Sequence, residues 1–146
     1  MSEYGFQSFP EFSTVKKYTI SSDWDIESEV MAAHQRSGIG NLRIKQYMES
    51  HYKDPKDFES FLYVSQLLQA KGIKEAIEAH RRNMPYCMGS LFWQINDCWP
   101  VASWSSMDYY KNWKAQQYMT KKAFAPIFVS PKVTESKVEF YVISDK

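Results

Sequence analysis

The sequence predicts an α/β fold whose last residues pass into an all-β domain, and three stretches carry that prediction. DPKDFESFLYVSQLLQAKGIKEAIEAHRR (54–82) keeps apolar side chains at helical spacing, MGSLFWQIND (88–97) is an unbroken apolar run ending in polar groups, and KVEFYVISDK (137–146) alternates with period two. A helix followed by a strand buried on both faces, with a shorter strand candidate ahead of both, reads as a βαβ unit with a parallel sheet. Strands that end in polar residues fit a (β/α) barrel, whose active site lies at the carboxyl ends of its strands.

In chain order, Ser2 to Phe6 reads as a short strand and Gln7 to about Ser22 as a loop. Ser22 or Asp23 offers a cap for a helix bearing Ile26, Val30 and Ala33 that ends near Gly38, and Ile39, Leu42, Tyr47, Met48 and His51 mark a second. In the long helix Asp54 is the expected N-cap and Pro55 the first helical residue, while Arg81 and Arg82 complement the negative end of the helix dipole. Phe58, Phe61, Leu62, Leu68, Ile73, Ala76, Ile77 and His80 form its apolar face, and Gly72 in mid-helix points to close packing there. A further helix is predicted from Trp113 to Phe124, stopped by Pro126, and a turn near Thr134–Ser136 joins the last two strands.

The 146 residues suffice for one ordinary core, and 18 basic against 17 acidic side chains leave a net charge of +1. That balance carries no electrostatic footprint for nucleic acid or an anionic membrane, and no apolar run reaches spanning length. Aromatic residues are abundant, with nine Phe, ten Tyr and five Trp, either as core or as flat platforms for a ligand such as a sugar. Cys87 and Cys98 flank an apolar run that reads as one strand, and an eight-residue strand alone is roughly 26 Å long. A disulfide needs Cα atoms within about 7 Å, so they read as free thiols. The three histidines lack metal-ligand spacing.

SEYGFQSFP, GSLFWQINDCWPVASWSSMDYY and NWKAQQYMTKKAFAP, in that order, closely resemble the β-mannosidases of glycoside hydrolase family 2. WQINDCWP is the specific part of that resemblance. It implies that residues 1–123 are the last quarter of a (β/α)8 catalytic barrel, strands seven and eight with their helices. Residues 124–146 would begin an all-β, immunoglobulin-like sandwich. Glu3 would be the catalytic nucleophile, early only because preceding sequence is absent. Trp93 would lie against the bound sugar. Asn96 and Asp97 would bond sugar hydroxyls or tie down their loop, Trp99 would shape the pocket rim, and His34 and Gln35 would stand near the pocket mouth or close a helix.

A retaining glycosidase sets a nucleophilic carboxylate about 5–5.5 Å from a second one that acts as acid and base. The family's acid/base is a Glu preceded by Asn, and the chain contains no Asn-Glu pair, so the isolated chain is expected to be inactive. The mechanism requires no metal or cofactor. The partners implied are β-mannoside oligosaccharides, and the compartment implied is a lysosome, or bacterial periplasm or cytoplasm. A family 2 galactosidase or glucuronidase, or a free-standing carbohydrate-binding module, are the alternatives. Because both ends of the sequence read as cut, residues 1–146 expressed alone are expected to self-associate through exposed apolar faces. Sedimentation velocity checks this, and a monodisperse, cooperatively melting monomer is the contrary result.

Overall fold

The computed structural model describes residues 1–145. Five helices precede a two-stranded antiparallel sheet: α1 (Phe12–Val15), α2 (Glu29–Ala33), α3 (Gly40–His51), α4 (Phe58–Arg82) and α5 (Ala115–Ala123), then β1 (Ile127–Val133) and β2 (Val138–Ser144). A single 3-10 turn, Ser21–Asp23, lies between α1 and α2. No helix among the described residues is long and apolar enough to cross a membrane.

α4 is the spine of the fold and packs against α1, α3, α5 and β2. Its N-cap is Asp57, three residues beyond the expected Asp54, and the Asp57 carboxylate accepts the Ser60 N–H at 2.7 Å. Hydrogen bonding from the Ser60 side chain, with this backbone bond, holds the Asp57 carboxyl below the usual carboxylate range. Pro55 therefore precedes the helix instead of opening it. The cap of α2 also lies further along than expected, at Ser28, whose hydroxyl accepts the Met31 N–H. Ser21–Asp23 makes only a 3-10 turn, and the expected loop from Gln7 to Ser22 holds the one-turn α1.

The larger apolar cluster joins Phe9, Val15, Met31, Ile44, Met48, Leu62, Leu68 and Ala102. A smaller one joins Ile73, Ile77 and Ala123 with Tyr4, Phe6 and Phe92. Between them α4 buries a polar row as well, Ser65, Gln66 and Gln69, which a purely apolar face did not foresee.

Neither expected parallel strand forms as a regular element. The segments 2–6 and 88–97 meet in one isolated parallel bridge, Tyr4–Phe92, with Trp93 N–H donating to the Tyr4 carbonyl at 2.7 Å. The apolar run is also not buried on both faces: Leu91 and Ile95 are 64% and 59% exposed. A strand in a parallel sheet needs partners on both edges and cover on both sides. Here the run meets the Tyr4 segment around Phe92 and residues 104–107 around Gln94–Asn96, each over a few residues only, and has helices on one side.

The hairpin β1–β2 turns where expected, after Val133, with Val129 opposite Val142 and Val133 opposite Val138. Its root is polar. Glu78 of α4 accepts the Ser130 hydroxyl at 2.8 Å and pairs with Lys74 at 2.6 Å, and Arg81 reaches the Ala123 and Ala125 carbonyls and Asp145.

Gly72 is not a site of close approach, since a Cβ there would meet only the Phe6 ring at 3.8 Å, an ordinary contact. Gly72→Ala should therefore raise stability by about 0.5–1 kcal/mol through helix propensity. The urea midpoint of the full-length protein checks it, and a lowered midpoint is the contrary result.

Candidate active site

The Tyr4–Phe92 bridge sorts side chains between two faces. Tyr4 and Phe92 pack against Ile73, Ile77 and Ala123, so both point into the helix layer. Extended backbone alternates its side chains. Glu3 and Trp93, the adjacent residues, therefore share the opposite face, where both are exposed. Among the described residues no donor or cation bonds the Glu3 carboxylate.

The close approach of the two segments depends on Gly5. A Cβ at that position would fall 2.5 Å from the Trp93 carbonyl oxygen and 2.8 Å from Cδ1 of Trp104. Below it, Ser8 and Ser103 exchange backbone bonds of 2.9 and 3.1 Å, the second point at which the Glu3 segment meets the chain after Trp93. Gln69 of α4 supports this junction by donating to the Phe6 and Ser105 carbonyls at 2.8 and 3.2 Å while accepting the Ser8 hydroxyl at 2.7 Å. Lys114, buried just before α5, donates to the Ser8 and Ser103 carbonyls.

The structure separates Asn96 from Asp97. Asn96 is exposed at the end of the Trp93 segment. Asp97 is buried, and its carboxylate accepts Gln94 Nε2 and the hydroxyls of Ser103 and Ser105, all from its own loop. A buried carboxylate needs that many donors, and their supply organises residues 94–105 around it.

His34 lies in a column of rings. It stacks on Tyr18 at 3.9 Å and on Trp99 at 5.2 Å, with the Arg36 guanidinium 5.7 Å from the Trp99 ring centre. His34 Nδ1 lies 2.6 Å from the Pro100 carbonyl. A carbonyl only accepts, so Nδ1 carries a hydrogen and donates it there. Burial pushes the Tyr18 hydroxyl well above its ordinary pKa, with the Tyr110 and Asp108 charges adding to that. Gln35 is engaged at both ends of its amide, accepting Gln7 Nε2 at 2.9 Å and donating to Asn41 at 2.8 Å, so it ties the α2–α3 connection to the Glu3 segment.

Glu3, Trp93 and Asn96 thus lie along exposed chain, His34 and Trp99 sit together in a neighbouring column, and Asp97 and Gln35 are structural ties. Gln69, Ser103, Ser105, Asp108 and Lys114 escaped the sequence reading. Only Lys114, a lone cation inside the NWKAQQY motif, carried any signal that could have marked it. A concavity of about 500 Å³ lined by Phe12, Tyr63, Gln66, Trp113 and Tyr118 contains none of the Glu3-face residues. Cys87 and Cys98 are both free.

No protein-family model matches the chain. In sequence it is 35% identical to the β-mannosidase of Capra hircus over 99% of its own length and 18% of that protein's. To the β-mannosidase of Bos taurus it is 36% identical over 87% of its length and 16% of that protein's. The chain therefore spans under a fifth of the curated relatives it matches. Among solved structures, the β-D-mannosidase of Dictyoglomus thermophilum superposes with a TM-score of 0.94 at 37% identity, covering 99% of this chain and 18% of that one. The exo-chitosanase of Amycolatopsis orientalis superposes at 0.76 with 23% identity, over 94% of this chain and 17% of that one, a likeness of fold alone.

Gly5→Ala is expected to destabilise by about 1–3 kcal/mol, because the Trp93 backbone cannot yield as a flexible side chain would. A lowered urea midpoint of the full-length protein, with altered tryptophan fluorescence, checks it. Unchanged values would contradict the close approach.

Proposed function

We propose that this chain, which belongs to the β-mannosidase family, supplies the nucleophile side of a retaining exo-β-mannosidase active site. The observation that carries the proposal is the shared exposed face of Glu3 and Trp93 across the Tyr4–Phe92 bridge. The Glu3 carboxylate attacks the anomeric carbon as the bond to the leaving oxygen breaks, giving a mannosyl ester. A second carboxyl group, which this chain does not contain, protonates the leaving oxygen. It then takes a proton from the water that hydrolyses the ester.

Trp93 offers its indole face to the C–H face of the sugar. Asn96 is placed to bond a hydroxyl, and the His34–Trp99 column to line the entrance. Asp97 and Gln35 act on substrate through the loops they hold. Residues 1–123 are read as the last two β/α units of the barrel, supported by a parallel bridge with helices on one side. Residues 124–146 are read as the start of the immunoglobulin-like sandwich, supported by the apolar outer face of β1–β2. Alone, the chain lacks the acid/base group and is expected not to hydrolyse glycosides.

The full-length protein, incubated with an activated 2-deoxy-2-fluoro-β-mannoside, should acquire a mannosyl adduct that peptide mass spectrometry places on Glu3. Glu3→Gln should lower kcat on an aryl β-mannoside by about 10³-fold or more. An adduct on another residue, or hydrolysis that survives Glu3→Gln, would overturn the assignment. Cleavage of a different aryl glycoside with Glu3 labelled would move the sugar class alone.

A further inference from the structure

Lys114 occupies the position just before α5 and its side chain is buried. Its Nζ donates to the Ser8 carbonyl at 3.2 Å and the Ser103 carbonyl at 3.3 Å, the two oxygens of the bridge that those residues already form through their backbones. Among the described residues no carboxylate lies within ion-pair distance of it. The charged groups it feels are the two buried carboxylates Asp97 and Asp108. Asp97 is held by Ser103 and Ser105, and Asp108 by Thr14 and Asn112. A buried ammonium bonded to two neutral carbonyls is a costly way to gain stability, because an apolar side chain of similar length would fill the space without desolvating a charge. Its partners point to another use.

Before Gly5 the Glu3 segment is tied to the Trp93 segment through the Leu91 N–H bond to the Met1 carbonyl and the Tyr4–Phe92 bridge, which leans on the apolar helix layer. Beyond Gly5 it is tied to the chain after Trp93 at Ser8–Ser103, which rests on Lys114 and Gln69. Ties on both sides of Gly5 fix the separation and the relative rotation of the two stretches. We propose that Lys114 is a positioning residue for the glycosyl-transfer step, its buried ammonium clasping both carbonyls of the Ser8–Ser103 bridge so that Glu3 and Trp93 keep one relative placement. This rests on the reading of Glu3 as nucleophile.

Burial pushes the Lys114 amine down to about 7, with Asp97 and Asp108 partly opposing that. The side chain therefore carries its proton below neutrality and loses it above. The test uses the full-length protein and 2,4-dinitrophenyl 2-deoxy-2-fluoro-β-mannoside. That leaving group departs without protonation, so the acid/base carboxyl contributes no alkaline limb. The readout is the dinitrophenolate burst as Glu3 is labelled.

In the wild type the burst rate should fall above about pH 7 on a scan between about pH 6 and pH 9. Lys114→Met should slow labelling about 100-fold, the loss expected of a small misplacement, with inhibitor affinity kept within about threefold. Lys114→Arg, whose guanidinium stays charged, should remove the alkaline limb. A Lys114→Met protein that melts lower yet labels Glu3 at the wild-type rate would overturn the proposal and leave Lys114 a structural residue. Where Lys114→Met does not fold, the wild-type scan decides, and a rate flat through that range overturns it. A label away from Glu3 in the wild type would instead overturn the nucleophile reading itself.

Discussion

The face that carries Glu3 depends on the satisfaction of buried backbone carbonyls. Segments 6–9 and 103–106 pass under that face as irregular chain, and irregular chain that is buried must find partners for its peptide groups outside a helix or sheet. Ser8 and Ser103 pair with each other and Gln94 pairs with Trp104 and Ser106, while α4 serves Phe6, Phe9 and Ser105 through Ser65, Gln66 and Gln69, and Lys114 adds a second bond to the Ser8 and Ser103 carbonyls. A partner removed from such a site leaves a desolvated group costing about 1–3 kcal/mol. The loops are held in place by that penalty more than by the strength of any single bond.

The apolar clusters do a different task. The cluster of Phe9, Ile44, Leu62 and Leu68 closes α3 on α4, and that of Ile73, Ile77 and Ala123 seats Tyr4 and Phe92. Apolar packing is non-directional and sets how near the layers lie. Direction comes from the polar row. The Glu3 face is thus placed in depth by one kind of force and in orientation by another.

Much of this was legible in the sequence because it rests on periodicity. The apolar spacing from Phe58 to Ile77 located α4, the alternation of Val138, Phe140 and Val142 located β2, and SEYG and WQIND marked the two segments that meet at the Tyr4–Phe92 bridge. The caps at Asp57 and Ser28 were missed because several nearby polar residues could serve, and three-dimensional fit selects among them. Gln69 was invisible, and Lys114 nearly so, for a stronger reason. Polar and charged side chains are assigned to solvent unless their partners are known, and the partners here are backbone carbonyls distant in sequence. The run 88–97 was read as a strand buried on both sides because apolar character does not reveal which neighbours a chain provides.

The root of the hairpin behaves differently from the rest of the core. Glu78, Arg81 and Arg82 attach β1 and β2 to the end of α4 through hydrogen bonds and ion pairs reaching Ser130 and Asp145. Such bonds fix an angle while filling little space. Substitutions in the apolar ladder of the hairpin can therefore accumulate without reshaping the clusters beneath Glu3. The joint works as a bracket between the helices and the hairpin, and each is left to diversify at its own pace.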